Sequence, residues 1–205
     1  MNLLHLDSSI LGANSVSRAL SAAVVARIQR GDPAVRVTYR DLAAEPIPHL
    51  SAAYLAAVQS PGGQHEAALQ HDLALGGAVL EEFLAADTVV IGTAFYNFTV
   101  PSQLKAWIDR ITIAGKTFRY TESGPEGLAG NKRVILTIAR GGFYGPGTPI
   151  HSYEHAESYL RTVLGFIGIV NPEVVTAEGI AVGPDQREAA LRAAMDQVAA
   201  LPLAA

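Results

Sequence analysis

The chain has no cysteine among its 205 residues. That excludes disulfides, thiol redox chemistry and cysteine nucleophiles, and it removes the usual soft metal ligands. Any redox activity has to come from a bound cofactor. Long apolar runs are also missing: no stretch approaches the roughly 18 residues needed to span a bilayer. Positive charge is not in excess. Fifteen Lys and Arg against 19 Asp and Glu give a net charge of -4, with a pI near 5.8, and electrostatic nucleic-acid binding wants a basic face instead. The start, Met1-Asn2-Leu3-Leu4-His5-Leu6-Asp7, has no basic segment and is broken by Asp7, unlike a signal peptide. A cytoplasmic protein with neither a membrane nor a nucleic-acid partner is the expectation. Hydrophobic residues make up 49% and charged residues 17%, as in an ordinary globular protein. The length suits one domain, residues 1–205, with a sizeable core.

Apolar runs alternate with helical periodicity. Leu3-Leu4-His5-Leu6 reads as a first strand, and Leu20, Ala23, Val24 and Ile28 as a helical face after it. Residues 35–40 alternate like an edge strand. Residues 41–65, with Pro46, Pro48, Pro61, Gly62 and Gly63, form an irregular segment with room for a short helix at 51–58. A long helix follows over Leu69 to Phe83, then a buried strand at 88–93, and a helix marked by Leu104, Trp107, Ile108 and Ile111. Residues 116–128 suggest a hairpin or excursion. Strands at 134–138 and 174–177 alternate with helices over Ala156 to Leu164 and Leu191 to Val198. Strands alternating with helices imply a parallel sheet covered on both faces. The pattern of five strands and five helices predicts an α/β, flavodoxin-like doubly wound domain, order 2-1-3-4-5. Its ligand site would lie outside the carboxyl ends of the strands, at the switch point between strands one and three.

Three loops should meet there. After strand one, Ser9, Ser15 and Ser17 surround a helix start; hydroxyls and helix N-terminal N–H groups make a phosphate cradle, although simple capping accounts for a single Ser. After strand three comes Phe95-Tyr96-Asn97-Phe98, three aromatics around an amide that can both donate and accept, suited to the face and edge of a flat ring. After strand four comes Ala139-Arg140-Gly141-Gly142, where paired glycines let backbone approach a ring closely. Neither the Walker pattern nor Gly-x-Gly-x-x-Gly is present.

At these residues the chain resembles the FMN-dependent NADH-azoreductase family, which also acts as NAD(P)H:quinone oxidoreductases. The likeness runs from residue 3 to about residue 185. It includes Ser8-Ser9-Ile10-Leu11, Tyr96-Asn97-Phe98, Thr117-Phe118-Arg119-Tyr120-Thr121-Glu122, Gly124-Pro125-Glu126-Gly127-Leu128, Arg140-Gly141-Gly142 and Ala177-Glu178-Gly179-Ile180-Ala181. The resemblance implies a homodimer holding one FMN per subunit. It implies FMN contacts from Ser9, Ser15, Val16, Ser17, Phe95, Tyr96, Asn97, Phe98, Ala139, Arg140, Gly141 and Gly142. Three positions depart from the family's usual residues: Val16 replaces a polar residue, Phe95 a Met and Ala139 a Ser.

The expected reaction is a ping-pong, two-electron reduction. NADH or NADPH reduces the bound flavin and leaves; a quinone or azo compound then takes the electrons. The chemistry lies on the cofactor, with no catalytic side chain required. Phe118, Tyr120, Phe143 and Phe166 are candidates to line an apolar acceptor slot, and Arg140 is a candidate contact for a 2′-phosphate. Two other readings compete. A flavodoxin-like electron carrier would share the fold without the catalysis. His151-Ser152-Tyr153-Glu154-His155 matches the His-x-x-Glu-His pattern of some zinc peptidases, with both imidazoles on one helix face and Glu154 as base. A polar helix start with exposed His is the simpler account of that pattern, and no metal is expected.

Overall fold

The computed structural model describes residues 1–60 and 62–203. Its elements run β1 (Asn2–Asp7), α1 (Val16–Gly31), β2 (Arg36–Asp41), α2 (Ala52–Gln59), α3 (Ala67–Ala85), β3 (Thr88–Ala94) and α4 (Ser102–Ile111). They continue with β4 (Phe118–Thr121), β5 (Gly124–Gly127), β6 (Arg133–Ala139), α5 (Glu157–Phe166), β7 (Glu173–Ala177) and α6 (Pro184–Ala200). Five strands pair in parallel in the order β2-β1-β3-β6-β7. This is the doubly wound 2-1-3-4-5 order, with β6 and β7 as the fourth and fifth strands. The excursion at 116–128 is the antiparallel hairpin β4–β5, separate from that sheet. The room for a helix at 51–58 is taken by α2, so the described residues hold six α-helices rather than five. Pro61, counted with that irregular segment, lies outside the described residues. No helix among them is long and apolar enough to cross a membrane.

Strand side chains alternate between two cores, as a pleated backbone requires. Leu4, Leu6, Val89, Ile91, Leu136 and Ile138 face α3, α4 and α5, where Phe83, Trp107 and Leu160 are fully buried. Leu3, Val90, Ile135 and Val175 face α1 and α6, meeting Leu20, Val24, Ile28, Ala194 and Val198. Because both faces are covered, β3 is buried at every position, which is why it reads as a continuous apolar run.

Register decides where the strand ends fall. Asp7 is level with Gly92, and Ala94 with Ala139. β1 therefore stops before β3 and β6 do, leaving a notch at the carboxyl edge. Gly92 is required beneath it: a Cβ there would sit 2.3 Å from Asp7 Oδ1 and 3.0 Å from Ser21 Oγ. Asp7 is buried and accepts hydrogen bonds from Ser21 Oγ at 2.8 Å and from the Tyr39 hydroxyl at 3.1 Å. Gly92→Ala should push Asp7 off these partners and cost about 1–3 kcal/mol of stability, in the range of overpacked cores. Urea unfolding measures this; an unchanged midpoint would show that Asp7 is free to move.

Candidate functional site

The loop after β1 drops into the notch. The Ser8 N–H donates to the Gly92 carbonyl at 3.0 Å. Ser9 is buried, and its Oγ lies 3.1 Å from the Tyr96 hydroxyl, joining the first and third loops. The Ser9 carbonyl accepts from Arg18 Nη2 at 2.8 Å and Nε at 3.1 Å. Arg18 in turn is clamped by Asp41 through bonds of 2.6 and 2.7 Å. Those bonds, with the N–H groups of Ala43 and Ala44, outweigh burial and hold the Asp41 carboxyl below its usual range. Burial and the Asp7 charge push the Tyr39 hydroxyl up to about 12, so it stays a donor to Asp7 at neutral pH.

Ser15 caps α1, its Oγ accepting from the Arg18 N–H at 3.3 Å. The same Oγ lies 3.1 Å from that of Ser17. The N–H groups of Val16 and Ser17 open the helix and have no acceptor among the described residues. They are the orphan donors that every helix start leaves, at the positive end of the dipole.

After β3 the chain makes a tight turn. Tyr96 and Thr99 exchange backbone bonds of 3.0 and 3.1 Å, and Asn97 and Phe98 take φ of 47° and 75°. Two successive positive values suit a primed turn but are uncommon for a bulky side chain. Neighbours hold the turn. The Phe98 carbonyl accepts from the His155 N–H at 2.9 Å, and its ring stands edge-on to Phe95 and Tyr144. The Phe95 N–H donates to the Ala139 carbonyl at 3.0 Å, binding this loop to the end of β6.

After β6, the carbonyls of Arg140, Gly141 and Gly142 accept from Ile180, Ala181 and Gly179. The N–H groups of Gly141 and Gly142 have no acceptor among the described residues. These loops enclose a cleft of about 230 Å³, lined by Ser9, Ser15, Val16, Phe95, Tyr96, Ala139 and Gly141, together with Leu11, Asn14, Ala94, Ile180, Ala181 and Arg187. Its walls combine aromatic and aliphatic surface with unspent N–H donors and carry no carboxylate. Such a set fits a flat ring with an anionic tail, the description of FMN.

Comparison with known proteins agrees with this chemistry. A family model described as "Flavodoxin-like fold" matches residues 1–201. The chain is 62% identical over 204 residues to an FMN-dependent NADH:quinone oxidoreductase of Xanthomonas campestris pv. campestris, with 99% of this chain and 100% of that protein covered. This chain belongs to the FMN-dependent NADH:quinone oxidoreductase family. Two solved structures share the architecture. An azoreductase from Bacillus anthracis str. Sterne superposes with a TM-score of 0.88 at 32% identity, covering 97% of each chain. An FMN-dependent NADH-azoreductase from Bacillus anthracis str. Ames Ancestor, in complex with FMN, gives 0.86 at 27% identity, covering 97% of this chain and 96% of that one.

In this member of the oxidoreductase family, not every expected residue turns toward the cleft. Ser17 is buried behind Ser15. Asn97 and Phe98 form the exposed tip of the turn, and neither lines the cleft. Gly142 continues the strip beside Gly141. Arg140 presents its backbone only. Its guanidinium is buried and bonded to Glu178 at 3.0 Å and Glu157 at 2.9 Å, with Glu154 at 3.3 Å. The side chain that was one candidate for a 2′-phosphate is therefore engaged by three carboxylates. Phe118, Tyr120 and Phe166 pack together near the hairpin, with centroids 5.5 and 4.6 Å from Phe118. Phe143 lies over Gly179, on the side of Arg140 and Glu178. None of these four aromatics lines the cleft.

The His-x-x-Glu-His reading is corrected too. Residues 151–153 form a 3-10 turn and α5 begins only at Glu157, so the two imidazoles share no α-helical face. His151 Nδ1 meets the Tyr144 carbonyl at 2.8 Å. Glu154 caps α5, accepting from the N–H groups of Ala156, Glu157 and Ser158. No group of three His, Cys, Asp or Glu able to hold a metal occurs among the described residues. The sequence reading also missed Ile180, Ala181 and Arg187. The available signal was strand order: a fifth strand beside the fourth sends its following loop to the same edge.

Glu154 gives a pH test. Burial alone would raise its carboxyl, but three backbone N–H groups and Arg140 outweigh that and lower it. A carboxyl lowered in the folded state stabilises above its unfolded value, and the effect is lost as pH falls through the folded one. Glu154→Gln should cost about 1–2 kcal/mol at pH 7, as for a lost helix cap. The gap from the wild type should close as the pH drops below the ordinary carboxylate range. Urea midpoints from pH 3 to 8 measure it, and a pH-independent gap would contradict it.

Proposed function

We propose that this chain binds FMN in the cleft and uses it to reduce quinones with two electrons from NADH, in a ping-pong cycle. The observation that carries this is the cleft's donor set. The N–H groups of Val16 and Gly141 in its walls, and of Ser17 and Gly142 next to them in the chain, have no acceptor among the described residues, and no carboxylate lines the cleft. Bound FMN supplies the redox chemistry, accepting two electrons from a reduced nicotinamide and giving them to an acceptor. The chain's part is to bind and orient it. The start of α1 offers two N–H donors and the helix dipole to the phosphate. Phe95 and Tyr96 offer a flat wall to the ring. Gly141 and Gly142 offer fixed N–H dipoles to the ring edge where negative charge grows on reduction, which favours the reduced state.

Phe98, 46% exposed in the same turn as Tyr96, offers an aromatic surface to flat acceptors. One slot serving donor and acceptor in turn is what a ping-pong cycle needs, and azo compounds fit it as a second acceptor class. The burial of Arg140 among carboxylates favours NADH over NADPH, since that guanidinium is not free for a 2′-phosphate. Residues 1–205 act as one FMN-binding domain and pair as a homodimer. The hairpin supports pairing, since it leaves the Tyr120 ring 75% exposed, surface that a partner would cover.

Anaerobic stopped-flow mixing tests the reading. NADH should bleach the flavin absorbance of the purified protein, a quinone should restore it, and double-reciprocal plots at several quinone concentrations should be parallel. A coloured protein that NADH does not bleach would be an electron carrier. A colourless one that gains no flavin absorbance with added FMN would defeat the proposal.

A further inference from the structure

Within the cleft, Arg187 is the one charged side chain on the walls described. It lies in the first turn of α6, which begins at Pro184. Its Nη2 donates to the Asn14 carbonyl at 3.1 Å, reaching across from α6 to the turn that leads into Ser15. That places the guanidinium at the same end of the cleft as the orphan N–H groups of Val16 and Ser17.

The neighbouring cations are already occupied. Arg18 is held by Asp41 and the Ser9 carbonyl. Arg140 is held by Glu154, Glu157 and Glu178. Arg187 forms no ion pair among the described residues; its one recorded bond is to a neutral carbonyl. A guanidinium carries five N–H donors, so most of its capacity is unspent. A phosphate is the group that such a planar fork recognises well.

We infer that Arg187 is a binding residue that selects a phosphorylated flavin over an unphosphorylated one, by meeting the phosphate from the side opposite α1. The inference rests on the FMN reading above and deepens it. Helix-terminal N–H groups bind an anion through fixed partial charges; Arg187 adds a full charge at the exposed end, where salt screens it. FMN affinity should then depend on both Arg187 and ionic strength, and riboflavin affinity on neither.

The test uses the full chain freed of flavin, titrated with FMN and with riboflavin while flavin fluorescence is followed. Arg187→Gln should weaken FMN about tenfold, the scale of one charge-assisted hydrogen-bonded contact at an exposed site. Riboflavin affinity should not change, and Arg187→Lys should recover part of the loss. In the wild type, added NaCl should weaken FMN and leave riboflavin alone, and Arg187→Gln should flatten that salt dependence. This salt titration needs no variant, so it stands even if a substitution disturbs folding. The inference is overturned if FMN affinity and its salt dependence survive in Arg187→Gln, or if both flavins weaken together. A wild-type chain that binds neither flavin defeats the cofactor reading itself, and this inference with it.

Discussion

The site depends on the parallel register of β1, β3 and β6. Parallel strands place all their carboxyl ends on one edge, and a chain that winds first to one side and then to the other opens a crevice there. Here Asp7 pairs with Gly92, and Ala94 with Ala139. The early end of β1 leaves space into which Ser8 and Ser9 fold, and the later ends of β3 and β6 raise Phe95 and Gly141 as opposite walls. Residues from positions 9 to 187 reach one cleft through this arrangement. A slip of one position along β3 would carry its side chains to the wrong face and move Gly92 from under Asp7.

Around the cleft, buried ionic groups hold loop backbones and leave the binding surface free of carboxylates. Asp7, Ser21, Tyr39, Arg18 and Asp41 connect β1, α1 and β2, ending on the Ser9 carbonyl. Arg140 joins the β6 loop to α5 and to Glu178, which also accepts from the Tyr144 N–H. Buried charges are tolerated when paired and hydrogen-bonded, and breaking one partner is costly. Both networks turn their carboxylates away from the cleft, so the N–H groups facing it meet no competing anion. Cofactor selection and loop rigidity thus come from the same side-chain orientations.

Much of this was legible in the sequence. β3 and β6 show as apolar runs because both faces are covered, and α4 shows through Leu104, Trp107, Ile108 and Ile111. The three loops were found because strand order follows from the alternation of elements. Side-chain direction was not legible, because it is set by tertiary partners. Arg140 reads as a free cation in the chain, yet Glu157 and Glu178 lie 17 and 38 residues away in sequence. The bond made by Arg187 carried no signal in the sequence, because Asn14, whose carbonyl it meets, lies 173 residues away. The His151 to His155 pattern fits a helix by spacing, but Glu154 does more as the cap of α5. The contact of Phe118 with Phe166 was not legible either, because residue type alone does not show which aromatics meet.

The central claim is that helix α1 and the Gly141-Gly142 strip hold the two ends of one anionic flavin. A crystal structure of the protein with FMN tests it most directly. The account predicts the phosphate within hydrogen-bond distance of the Val16 and Ser17 N–H groups, with the ring lying along Phe95 and Tyr96 and its edge toward Gly141 and Gly142. A phosphate bound elsewhere, or a ring seated away from Tyr96 with those four N–H groups left unpaired, would contradict it.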